Sequence, residues 1–190
     1  KPPIRATLNY SADNGLRLNT YLYEPAGEVE RNPRGGEPRE VEIHDGWPQA
    51  ARFSADREGF EIHDFPEDSK SFDDDAAVKF AYCAQVIDYV QRHSGAKRVP
   101  VFDHTIRKRI DPDDLSIQTT VQRPAVQLVQ SDYTVKSGPQ RLHDVLPDEA
   151  EALLKRCVAF CNVWKPLIAR VEELPVAMCD ASPSPRTTCC

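Results

Sequence analysis

The sequence predicts an α+β chain, mainly β with helices, in which a helix packs on a predominantly antiparallel sheet. Three observations lead there. Short runs alternate apolar and polar residues with period two, the signature of half-buried strands. One longer stretch repeats its apolar residues at three- and four-residue spacing, as a helix facing a core does. Turn-forming residues separate the runs often enough to favour short connections.

Taken in order, Ala6-Thr7-Leu8-Asn9-Tyr10, Val41-Glu42-Ile43-His44 and Phe60-Glu61-Ile62-His63 are the early strands. Asn32 to Pro38, with two prolines and two glycines, is a loop. Asp73, Asp74 and Asp75 suit a helix N-terminus, where carboxylates meet the positive end of the dipole. Ala76, Phe80, Cys83, Ile87 and Val90 form the helix's apolar stripe, and Gly95 can end it in a left-handed conformation. Cys83 belongs to that stripe as a core residue. Val99 to Asp103 and Ala125 to Val129 are strand-like, with a polar loop between them. Pro147 through Arg156 is a short helix with proline in its first turn. Val158 to Trp164 is a further, largely buried strand.

Composition narrows the function classes. The chain has 190 residues, a formal net charge of -6 and a pI near 5.4, so it lacks the basic footprint of a nucleic-acid binder. Arg107-Lys108-Arg109 is answered by Asp111, Asp113 and Asp114, which makes a solvated loop. No apolar run reaches the ~20 residues of a membrane span. No secretory signal opens the chain, and its first residue is Lys1. Six cysteines without clustered spacing do not make a disulfide framework. On a strand, Cys157 and Cys161 would stand about 13 Å apart, too far to share a metal. The expected compartment is the cytoplasm.

Three stretches carry a resemblance. They are Phe102 to Arg107 (FDHTIR), Arg123 to Asp132 (RPAVQLVQSD), and Leu146 to Ala150 (LPDEA) running on to Asn162-Val163-Trp164-Lys165-Pro166-Leu167. Their order and separations resemble the fungal hydroxylase/desaturase family that includes gibberellin desaturase and aspergillic acid hydroxylase. That family is similar to a component of the cephem methoxylase system. The resemblance covers the chain to about Asp180. It implies a double-stranded β-helix, a jelly-roll barrel, of which this chain would be an incomplete copy. It also implies iron(II) on two histidines and a carboxylate, 2-oxoglutarate as co-substrate, and oxidation of small secondary metabolites.

The resemblance then assigns residues. The family's His-x-Asp ligand pair falls on Gln130 and Asp132, whose spacing of two would aim both side chains to one face of a strand. Asp132 can be a metal ligand, whereas Gln130 is a neutral carboxamide in a histidine's place. Asn162 and Lys165 fall on a segment reading Asn-Val-Trp-Arg-Pro in the family, which makes them the cofactor-binding candidates. Lys165 keeps the charge of the arginine but not its bidentate fork. His104 and Arg107 fall on a family signature before the ligand strand. Two roles stay open for His104, one beside the metal or in the substrate pocket, the other fixing a loop at a strand end. His44, His63, His93 and His143 have surface or satisfied-core roles. The family's second histidine and the arginine for the co-substrate lie beyond Trp164, past the last residue here.

The expected domain is therefore a single partial oxygenase-like unit over residues 1–180. Residues 181–190 form an aberrant, disordered tail, for which a shifted reading frame is one origin. Whether the chain is an enzyme stays open. By resemblance it is an oxidoreductase, inactive as written. The alternatives are a non-catalytic pseudoenzyme or partner subunit, and a frameshifted gene remnant. The expected partners are a small-molecule metabolite, with neither nucleic acid nor membrane.

Overall fold

The computed structural model describes residues 1–15, 26–27, 35–65, 72, 76, 78–107 and 122–183. The helix-capping Asp73 to Asp75, most of the 107–114 charged loop, Asn32 to Arg34 and the last seven residues lie outside the described residues. The chain forms two compact units.

The first unit gathers residues 1–63, 126–134 and 172–188. Its main element is an antiparallel pair, β1 (Ile4–Ser11) and β2 (Gly36–Ile43), registered from Ile4 opposite Ile43 to Ser11 opposite Gly36. Ala6, Leu8 and Tyr10 are the half-buried positions of β1, as the alternation predicts. The loop expected to run to Pro38 instead ends at Gly35, because β2 begins at Gly36. Gly35 has φ +94°, and a Cβ there would meet the Asn9 amide nitrogen at 2.7 Å, so glycine is required. Pro38 is accommodated because it sits opposite Asn9, whose carbonyl points away from β2 and accepts the Val129 N–H at 2.9 Å. Pro38 thus occupies a position that needs no ladder donor.

The expected strand at Phe60 to His63 is absent, since residues 60–65 are irregular. Before it come a 3-10 helix, Trp47–Arg52, and a turn in which Arg57, Glu58 and Gly59 all donate backbone N–H groups to the Ser54 carbonyl. Phe53 and Phe60 close over this turn with ring centroids 4.7 Å apart. Ring packing across a turn thus replaces the ladder that alternation alone suggested.

The second unit gathers residues 64–125 and 135–171. Its helix begins with a π-helical turn, Val78–Tyr82, and continues as α1, Cys83–Ser94. Gly95 ends it at φ 68° and donates to the Gln91 carbonyl at 2.9 Å, as predicted. The stripe is corrected at Ala76, which is exposed, and at Phe80, which is 82% exposed, while Val78 is buried. The π turn supplies the reason: its hydrogen bonds span five residues in place of four, which widens the turn and brings Val78, not Phe80, toward the side of buried Cys83. Cys83 itself is buried, as expected.

Two further helices follow, α2 (Ser137–Val145) and α3 (Ala150–Leu153). The sequence reading missed α2, since Ser137-Gly138-Pro139 looks like a breaker although proline is tolerated in a first turn. Pro147 was expected inside a helix over 147–156. It instead forces Leu146 out of the helical region, to φ -134° and ψ 62°, and splits α2 from α3. Leu142 and Ala150 are buried on these two helices. Residues 99–103 and 158–164 form no strand, and Val163 and Trp164 are exposed. The only parallel pairing described is short, β3 (Ile106–Arg107) with β4 (Gln122–Arg123). Among the described residues, no helix is long and apolar enough to cross a membrane.

Candidate functional site

Gln130 and Asp132 lie in the first unit, on the short segment 126–134. The geometry expected for them needed a strand, and residues 124–132 are irregular. Pro124 lacks a donor at the start of the segment, and the Val129 N–H to the Asn9 carbonyl is the bond that ties it to β1. The two side chains still meet, with the Gln130 amide nitrogen 3.5 Å from an Asp132 carboxylate oxygen. Both residues are exposed. At that length the contact is weak, and water competes for both groups.

An iron(II) oxygenase centre takes imidazole and carboxylate donors with positions left open for reactants. The segment offers one carboxamide and one carboxylate. Among the described residues, no group of three or more His, Cys, Asp or Glu side chains is placed to hold a metal. Gln130 and Asp132, as placed on this segment, therefore do not by themselves fit an iron centre. Cys157, Cys161 and Cys179 are exposed thiols, the first two on the irregular segment that replaces the expected strand.

The histidines are engaged elsewhere. His44 lies 3.0 Å from Glu42 and His63 lies 2.6 Å from Glu61. The His93 ring nitrogen meets the Tyr89 carbonyl at 2.8 Å and its ring stacks on Tyr89. His143, expected to precede a helix, lies within α2, 3.4 Å from Glu151.

In the second unit, His104 is half-buried, and Arg107 donates to the Pro124 carbonyl at 2.9 Å. That bond braces the β3–β4 pair. Asn162 is exposed. Lys165 is half-buried among aromatic rings. Its ammonium lies 5.2 Å from the Phe65 ring centroid, 5.7 Å from Tyr82 and 6.0 Å from Phe72. Burial raises the Tyr82 hydroxyl above the ordinary phenol range, with the neighbouring Cys83 adding to the effect. Sequence reasoning missed this cluster. The available signal was Tyr82 and Tyr89, seven apart and so on one helical face.

A second polar cluster was also missed. Glu58 is buried, accepts the Ser54 N–H at 2.9 Å and pairs with the Arg57 guanidinium. The hydrogen bond from Arg57 holds the Glu58 carboxyl below the usual carboxylate range, against the opposing effect of burial. The Glu58 carbonyl accepts the Ala181 N–H at 2.9 Å, and Asp180 accepts the Ser182 N–H at 2.8 Å. Bonds from Ser182 also lower the Asp180 carboxyl. The first residue of the expected aberrant tail is thus fastened to the turn at Ser54.

The family described as "Oxidoreductase/YMDC permease-like domain" matches residues 8–189, and the chain belongs to it. That match continues past Asp180. Curated relatives are fungal hydroxylase/desaturases and Fe(II)/2-oxoglutarate-dependent dioxygenases, in agreement with the resemblance read from the sequence. The hydroxylase/desaturase efuI of Hormonema carpetanum is 28% identical over 196 residues, covering 97% of this chain and 64% of that protein. The Fe(II)/2-oxoglutarate-dependent dioxygenase nvfI of Aspergillus novofumigatus is 31% identical over 151 residues, covering 75% of this chain and 51% of that protein. Among solved structures, the iron and alpha-ketoglutarate-dependent endoperoxidase NvfI shares the fold, with a TM-score of 0.64 at 24% identity. That likeness covers 81% of this chain and 56% of the endoperoxidase. The chain spans about half to two-thirds of the length of the curated relatives it matches.

Proposed function

We propose that this chain derives from an Fe(II)/2-oxoglutarate-dependent hydroxylase or desaturase of small metabolites and that the 190-residue polypeptide is itself non-catalytic. In this reading the Ile4–Ser11 and Gly36–Ile43 pair belongs to a jelly-roll sheet. The carrying observation is Gln130, a carboxamide set against Asp132 on an exposed, irregular segment. A carboxamide oxygen is a weaker donor to iron(II) than imidazole, and Asp132 alone gives one anchoring point. Lys165, the co-substrate candidate, is seated against rings in the second unit.

Anaerobic iron(II) titration with 2-oxoglutarate tests this reading. The expected result is no 2-oxoglutarate-dependent absorption band and no succinate release above the buffer rate. Stoichiometric succinate from the purified chain overturns it. Gln130→His restores an imidazole, and the expected gain in divalent-metal affinity is on the order of tenfold, or about 1.4 kcal/mol. Unchanged metal affinity in that variant would remove Gln130 from the ligand assignment.

A further inference from the structure

We infer that Phe65, Phe72 and Tyr82 form a cage for a methylated ammonium group, and that in this chain the cage is occupied by the chain's own Lys165.

The geometry of the rings leads to this assignment. All three centroids lie within the ~6 Å at which an aromatic face attracts a cation. The rings are inclined to one another and so form walls. Phe65 and Tyr82 meet at 58°, with centroids 5.7 Å apart, and Phe72 meets Tyr82 edge-on at 76° and 5.0 Å. The wall is braced from behind, since Tyr89 packs on Phe65 at 4.9 Å and donates its hydroxyl to the Asp64 carbonyl at 3.0 Å. His93 also stacks on Tyr89, with ring centroids 3.9 Å apart. Such bracing fixes the rings before any ligand arrives, which lowers the ordering cost of binding.

The distances choose the ligand. A bare ammonium is a compact, strongly hydrated charge. Here it stands more than 5 Å from every ring centroid, beyond direct contact. A methyl group on that nitrogen extends about 1.5 Å, a C–N bond length. It would close the gap to Phe65 to about 3.7 Å, within ordinary carbon–carbon contact. A metal dication does not suit this site, because such ions take several oxygen ligands and the walls are rings. The chemistry recognised is an alkylated ammonium head, carried either by a free quaternary ammonium compound or by a methylated Lys165.

Lys165→Ala empties the cage, and tetramethylammonium is the probe. Binding is read from the upfield ring-current shift of its methyl protons, at fixed ionic strength. Saturable binding is expected, at least tenfold tighter than that of the neutral isostere 2,2-dimethylpropanol. The unsubstituted chain should bind at least tenfold more weakly than the variant, because Lys165 competes. Adding Phe72→Leu to Lys165→Ala should abolish the binding. Equal affinity for the neutral isostere, or no binding while helical circular dichroism is retained, overturns the cage. Should Lys165→Ala fail to fold, the unsubstituted chain decides the matter. Its Lys165 ε-methylene protons should be shifted upfield and should lose that shift in Phe72→Leu, and an unshifted signal rejects the assignment. Mass spectrometry of protein from its native source separates the two carriers: a mass gain of one to three methyl groups on the Lys165 peptide places the ligand on the chain itself, and an unmodified peptide assigns the cage to a free ammonium compound.

Discussion

The two units are built on opposite principles. All four buried apolar side chains among the described residues, Val78, Cys83, Leu142 and Ala150, lie in the second unit. The first unit has one buried residue among those described, and it is the carboxylate of Glu58. One unit buries apolar side chains, the other is held by a two-stranded ladder and a turn closed by hydrogen bonds and one ring pair. The difference bears directly on chemistry. A metal centre needs ligands fixed by packing and a site from which water is excluded. Gln130 and Asp132 stand in the unit that lacks buried apolar side chains among its described residues, whereas Lys165, among its rings, stands in the other.

Breaking the second unit should give the largest effect. Leu142→Ala removes a buried side chain and is expected to cost about 3 kcal/mol, within the range for buried leucines. Urea unfolding measures it, and a change under about 1 kcal/mol would show that α2 does not anchor that unit. Lys165→Met keeps the alkyl stem and removes the charge. Its expected cost is about 1 kcal/mol, as for a partly exposed cation over aromatic rings, measured in the same way.

In the first unit the corresponding test is acid. The folded state lowers the Glu58 carboxyl, so its contribution is complete above the unfolded carboxylate range, about pH 4.3, and is lost as pH falls through the lowered folded value. Glu58→Gln should flatten the acid limb of melting temperature against pH. An acid limb as steep as that of the unsubstituted chain would mean that other carboxylates set the acid sensitivity. The smallest effect is expected at Arg5, which pairs with Glu40 at 2.8 Å while both side chains stay mostly exposed. Arg5→Ala should change stability by under about 0.5 kcal/mol, and a larger loss would show the ladder depends on that pair.

What the sequence made legible follows from locality. β1, the end of β2 from Val41 to Ile43, the helix ending at Gly95 and the core role of Cys83 depend on neighbouring residues, and periodicity finds them. Phe80 was misplaced because a π turn resets the phase without a mark in the pattern. The strands expected at 99–103, 125–129 and 158–164 have suitable residues, but a strand needs a partner, which composition cannot supply. Among the candidate site residues, the spacing of Gln130 and Asp132 presumed a strand, and the segment that carries them is irregular because its residues have no ladder partner. The grouping of Phe65, Phe72 and Tyr82 about Lys165 joins residues far apart in the chain, and no local rule reveals it.

Pro38 has one more consequence. If the ladder alternates regularly, the backbone groups of β2 that face away from β1 belong to Gly36, Pro38, Glu40 and Glu42. An incoming strand from another molecule would find no donor at the second of these and a carboxylate-bearing residue at each of the last two. Among the described residues β2 pairs with β1 alone, and that margin is thereby discouraged from recruiting copies of the chain, which sets a ceiling on fibril-like growth at high concentration.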